Sequence, residues 1–211
     1  MRKYEFTNEE IEIGSKTLRR IKSLRDFNGV MKGDIGGYIE SESNLSHNSK
    51  SWIFGDACVF DNARVLDRAC VFGDARVFGD SRVSGDARVF GDARVFGHSI
   101  VSDKSYVFGN ANISEKARVI DSSRVFDFAS VSGCASVFGS SCVLDRACVT
   151  GNARVRGSAS VFGNALVSGN ACVFGCALVF GDACVSGDAY VYMNAKLFGG
   201  DISTGDVVDY A

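Results

Sequence analysis

Two histidines, eight cysteines and a recurrent Ala-Arg-Val tripeptide are the parts of this 211-residue chain able to do chemistry. An imidazole serves as general base or metal ligand, a thiol as ligand or disulfide partner, and a guanidinium as a two-pronged donor to phosphate. The histidines are His47 and His98. A zinc centre built on three imidazoles is out of reach of two, and a single His in a turn is more often a solvated residue than a base. No catalytic residue, metal site or cofactor is expected, and the chain reads as not an enzyme. The cysteines stand at 58, 70, 134, 142, 148, 172, 176 and 184. No two are 18 residues apart, the separation that would stack them one coil above another, so they read as small apolar fillers in a reducing compartment rather than as disulfides.

What positions these residues is an internal repeat. Aliphatic side chains fall at every sixth position from Ile53 to Leu197, 25 positions of which 22 are Val, with no insertion. Four residues after each comes Ala or Ser, 19 times Ala in 24 positions. The unit is Val-Phe-Gly-Asp-Ala-Arg. In Ala-Arg-Val-Phe, period-two alternation points Ala and Val inward and Arg and Phe outward, the pattern of a short strand. Gly-Asp or Gly-Asn then makes a tight corner. A polygon of such strands, coiled so that each Val stacks on another, is the consistent solution.

The residue after each aliphatic sorts cleanly at a period of 18, which gives the coil three sides. One column reads Phe54, Phe72, Phe90, Phe108, Phe126, Leu144, Phe162, Phe180 and Phe198. A second begins Phe60, Phe78, Phe96 and turns to Ser and Thr. The third is mixed, from Leu66 to Tyr192. The expected fold is all-β: a parallel β-helix of triangular section, about eight regular coils long, over residues 39–198, with a β-rich N-terminal cap at 1–38 and a polar C-terminal tail at 199–211.

On this frame the apolar column is expected to be covered by a second copy of the chain, because nine apolar residues in register exceed the bare patch a soluble monomer carries. Arg76 and Arg94 share a side with Phe78 and Phe96, offering donors for phosphate beside rings for bases. Arg64 and Arg82 form a ladder on the neighbouring side, and Arg88, Tyr106 and Arg124 interleave along the Phe column. These nine are the candidate ligand residues. Arg154 and Arg156 flank Val155 further along. Asp56, Asp74, Asp80, Asp86 and Asp92 fall at corners and read as turn formers.

Charge and hydropathy narrow the partners. With a net charge of −2, a pI near 5.7 and dispersed arginines, duplex nucleic acid is not an expected partner. The chain has no run of 18 apolar residues and no apolar stretch at its N-terminus, so neither a membrane partner nor a secretory signal is expected, and a cytoplasmic location is.

The hexads resemble the left-handed β-helix, or hexapeptide-repeat, family over about 150 residues. The left hand is implied by that resemblance, since the spacing itself is silent on it. The segments Leu18-Arg19-Arg20-Ile21, Gly33 to Glu42, Asn44-Leu45-Ser46 and Trp52-Ile53 look like the entry region of bacteriophage and bacterial hexapeptide-repeat proteins. Many family members are acyltransferases with a catalytic His and a long loop breaking the coils, an arrangement not seen here; the Thr ladders of its ice-binding members are missing too. Trimeric members hold ligands in clefts between neighbouring prisms, and some phage-encoded members act as sponges for nucleotide signals. The resemblance therefore implies a homotrimer that sequesters a cyclic oligonucleotide or related nucleotide immune signal, as an anti-defence protein in the host cytoplasm. The alternatives are a structural or polymer-forming module and an acyltransferase-like enzyme.

Overall fold

The hexad does in three dimensions what alternation dictates. Every inward Val from Val59 to Val191, with Ile53 and Ile113, is fully buried, as are the Ala and Ser four residues after each. Each strand is only two residues long in the regular coils, for example Arg64–Val65 and Cys70–Val71, because Gly or Asp then turns the chain through a corner. The computed structural model describes residues 2–209. Three parallel sheets form the sides of a solenoid with 18 residues per turn and about nine turns, an architecture that fits a left-handed β-helix.

We number the faces by their first strand after the cap. The first face runs from Cys58–Val59 to Asp201–Ile202, the second from Arg64–Val65 to Asp206–Asp209, and the third from Trp52–Ile53 to Lys196–Phe198. Residues after 198 therefore add strands to the first two faces, pairing Cys184 with Asp201 and Tyr190 with Asp206. The N-terminal segment is a hairpin of β1 (Tyr4–Ile13) and β2 (Lys16–Ser23), followed by β3 (Ile35–Ile39). Strand β3 is antiparallel to β2 but parallel to Cys58–Val59, so the cap prolongs the first face and covers its open edge. Trp52 is sealed beneath it, edge-on to Tyr4 and Phe27.

Backbone bonds join successive coils along the sides and at most of the corners. Cys58 N–H donates to the Ala75 carbonyl at 2.9 Å and Phe60 N–H to Val77 at 3.1 Å, while at the corner Asp74 N–H donates to Gly91 at 3.0 Å. Coils approach closely there: a Cβ on Gly169, at φ +65°, would lie 2.7 Å from the Gly187 nitrogen. Where a corner lacks Gly, Asp most often takes the same left-handed conformation, and in five such corners its carboxylate accepts from the next corner's amide. Asp61 does so from Gly79 at 3.0 Å and Asp145 from Gly163 at 2.9 Å. Asp145→Ala is expected to lower stability by about 1–3 kcal/mol, since it loses a charge-assisted bond and keeps a strained backbone. Asp145→Gly should lose less, because glycine relieves the strain; urea midpoints of the two variants check the order.

Candidate functional site

The outward columns, one residue per coil, carry the charged and aromatic side chains. On the first face Arg76 pairs in register with Arg94, and the rings of Phe60, Phe78 and Phe96 stack at 5.0 Å. On the second, Arg64 pairs with Arg82. On the third, Tyr106 lies between Arg88 and Arg124, and the Arg88 guanidinium sits 5.9 Å from the Tyr106 ring centre. The nine candidate ligand residues thus form three sets on three faces. Within each set the structure brings them together; across sets it does not, and only a second chain could bring two sets to one ligand.

The apolar column lies along the third face. Its rings cover one another: Phe54 on Phe72 at 4.6 Å, Phe90 on Phe108 and Phe108 on Phe126 at 4.7 Å, Phe162 on Phe180 at 4.9 Å. All of these, with Leu144, are half-buried in the single chain. Within the column only Phe198, at the C-terminal end, is mostly exposed, at 75%, and Phe128 is exposed at a neighbouring corner. The stripe left to water is narrower than an open row of phenylalanines.

Among the described residues, the only ion pairs of arginine are those of Arg2, Arg20 and Arg68. The nine outward arginines from Arg64 to Arg156 at strand positions or, for Arg156, beside one stand without a carboxylate partner. Stacking like charges one coil apart is unfavourable unless an anion bridges them. Three grooves follow these ladders. One of about 460 Å³ on the second face is lined by Arg64, Arg82, Ser43, Asn62, Ser81 and Asp80. One of about 530 Å³ beneath the cap sets Glu9, Glu12, Asp56 and Asp74 against Arg20 and Arg76. The third, about 450 Å³, lies further along the second face between Phe138, Asn152, Arg154, Arg156, Asn170, Cys172 and Tyr190. The sequence marks this last groove only by Arg-Val-Arg at 154–156; Cys172 and Tyr190, which shape it, take the outward place that Arg154 fills in an earlier coil.

His98 is exposed at a corner, its Nδ1 3.4 Å from Asp80 Oδ2, and Asp80 also accepts from Asn62 at 2.9 Å. His47 lies in the cap instead. Its Nδ1 accepts the Lys3 backbone N–H at 3.1 Å, its ring stacks on Tyr4 at 4.2 Å, and its Nε2 is 3.6 Å from Glu42. Lys3 is fully buried with its ammonium donating to the Ser51 carbonyl at 2.9 Å and to Ser49; burial, with Arg25 nearby, pulls its pKa down to about 7. Burial, then Glu42, pushes the Tyr4 phenol up. All eight cysteines are free, and burial pushes the Cys58 thiol up to about 11, which keeps it protonated and inert. Among the described residues no three His, Cys, Asp or Glu side chains converge as metal ligands, and no helix is long and apolar enough to cross a membrane.

Fold and surface together define a parallel β-solenoid with arginine and aromatic ladders on its outer faces. No family model matches the chain. An uncharacterized acetyltransferase of Escherichia coli (strain K12), YdcK, is 35% identical over 80 residues, a stretch covering 31% of this chain and 24% of the relative. The chain thus spans about a quarter of the protein it matches. The expectation that the chain is not an enzyme is corrected by this similarity, because the matched protein is named for an enzyme class. That expectation rested on there being two histidines, with His98 alone at a corner, and on coils that no long loop breaks.

Proposed function

We propose that the solenoid binds a small anionic nucleotide ligand, of the cyclic oligonucleotide or nucleotide immune-signal class, and sequesters it as an oligomer in the manner of a phage anti-defence sponge. The observation that carries this reading is the set of outward arginines without carboxylate partners, standing beside rings stacked 4.6–5.0 Å apart. Unpaired guanidiniums favour phosphate oxygens, and exposed ring edges and faces favour bases. The oligomer, with a trimer preferred, brings arginine sets from two neighbouring chains to one cleft and covers the third-face stripe. Calorimetry against cyclic di- and trinucleotides and ADP-ribose derivatives is the test: binding by at least one is expected, and no heat from any rejects the reading. Light scattering at micromolar concentration should show more than one chain per particle; a monomer rejects the shared cleft.

Acetyl transfer is the second reading, favoured by the similarity to a protein named as an acetyltransferase and by the Asp80 carboxylate beside His98. A carboxylate that orients an imidazole is the geometry of a general base. Acetyl-CoA also carries a nucleotide, so turnover rather than binding separates the two readings. Acetyl transfer that falls with His98→Ala supports the second.

A further inference from the structure

We infer that the groove over Cys172 on the second face is a binding site for a nucleoside 5′-phosphate, with the phosphate on Arg154 and Arg156 and the base against Tyr190. This inference rests on the nucleotide-binding reading and assigns it a place that the repeat alone does not mark. Of the three grooves it is the one whose lining has two arginines and no carboxylate; the other two hold one and four acidic residues respectively. An anion entering it meets uncompensated positive charge on its walls, whereas the groove beneath the cap is already net acidic.

Its shape comes from one substitution within the hexad pattern. Cys172 stands in the outward position that Arg154 fills one coil before and Tyr190 one coil after, and its backbone pairs with both. The small thiol, 6% exposed, becomes a floor between two long side chains whose Cα atoms are about 10 Å apart at two strand spacings. Arg156 is set in place by the Phe174 ring, whose centre lies 4.6 Å from its guanidinium carbon. Arg154 in its strand and Arg156 just past it are both exposed and both line the groove, which gives one phosphate two guanidiniums within the same site. Tyr190, 46% exposed, offers a ring face to a base. On the rim Asn152 donates to Asn170 at 3.0 Å, which leaves the Asn152 carbonyl oxygen as an acceptor for a base amino group or a ribose hydroxyl.

The test titrates the full chain with AMP, adenosine and inorganic phosphate. AMP is expected to bind more tightly than either half alone. Arg154→Gln and Arg156→Gln should each weaken AMP by about ten-fold or more. Cys172→Phe, which fills the floor and leaves every charge in place, should do the same, and so separates a shaped site from diffuse attraction. Lys104→Gln with Lys116→Gln, exposed at corners outside the groove and the arginine ladders, should leave AMP binding unchanged, while Arg76→Gln with Arg94→Gln reports whether the first face takes the ligand instead. If the 154 and 156 variants bind as wild type while the 76 and 94 variants fail, the groove assignment is overturned and nucleotide binding stands. If inorganic phosphate competes as well as AMP, the aromatic wall plays no part and the nucleotide assignment is overturned. If the wild-type chain binds none of them, the groove assignment is overturned, and the calorimetry with cyclic nucleotides decides separately on the reading beneath it.

Discussion

Val125→Asp is expected to abolish the cooperative thermal melt of the chain. Val125 is fully buried, with Val107 one coil before it and Val143 one coil after. Losing the valine forfeits roughly 1.5–3 kcal/mol of burial. Leaving a carboxylate in the apolar column without a partner costs several kcal/mol more, even after its pKa shifts to hold a proton. Against the roughly 5–15 kcal/mol that holds a domain together, the sum is most of the stability. A solenoid transmits order only between neighbouring coils, so the break should fall in the middle, and limited proteolysis should cut near residue 125. Ser136→Asp is the control. It faces outward on the second face between Arg118 and Arg154, where a carboxylate meets two guanidiniums, and should melt like wild type or slightly above it. Val125→Asp melting like Ser136→Asp would contradict the inward placement of the valine column.

The second large effect concerns Lys3 and pH. Its ammonium is buried among Tyr4, Phe27, Ser49 and Ser51, with Arg25, His47 and Glu42 in the same cap and Cys70 beneath. Burial first, then Arg25, lowers its pKa from 10.5 to about 7. Below pH 7 both folded and unfolded chains carry the charge, and the folded chain bears the full penalty of burying it. Between about 7 and 10.5 the folded Lys3 is neutral while the unfolded one is charged, so unfolding takes up a proton and stability rises with pH across that window. The rise is on the order of a few kcal/mol. Lys3→Met should remove it. At pH 7 the variant should be the more stable of the two by less than that amount, because the bonds to Ser49 and Ser51 are lost, worth about 1 kcal/mol each. Urea denaturation from pH 6 to 10 reads the difference between the two proteins, which cancels the alkaline titration of every other group. Parallel stability curves over that range would show that the folded Lys3 keeps its charge.

Much of this fold is legible residue by residue. The 18-residue sorting of Phe90, Phe108 and Phe126 from Phe78 and Phe96 predicts which side chains stack, and the rings do stack, nearly parallel, one coil apart. The Gly-Asp corners are equally plain. Asp56 and Asp74, which follow Gly, were readable as turn formers, whereas the Asp that replaces Gly at a corner was not singled out, since the bond from Asp145 to Gly163 spans 18 residues and needs the coil to exist first. The candidate ligand residues were sorted to the right faces, but a list along the chain conceals that the faces look away from one another. The cap was legible as β-rich; the burial of Lys3 was not, because nothing in Met-Arg-Lys-Tyr distinguishes a solvated lysine from one enclosed by a loop 46 residues later.

By itself the sequence determined the period, the polygon and the inward column, because alternation of Val and Ala with outward residues at a fixed six-residue interval leaves a chain one way to bury its apolar atoms. Only the tertiary structure decided depth and charge balance: that Cys172 is a floor between Arg154 and Tyr190, that the phenylalanines half-cover one another, and that the cap closes over an ammonium. The physical reason is that burial follows from local pattern, whereas a groove or a shifted pKa depends on which side chains from distant coils end up within a few ångströms of each other.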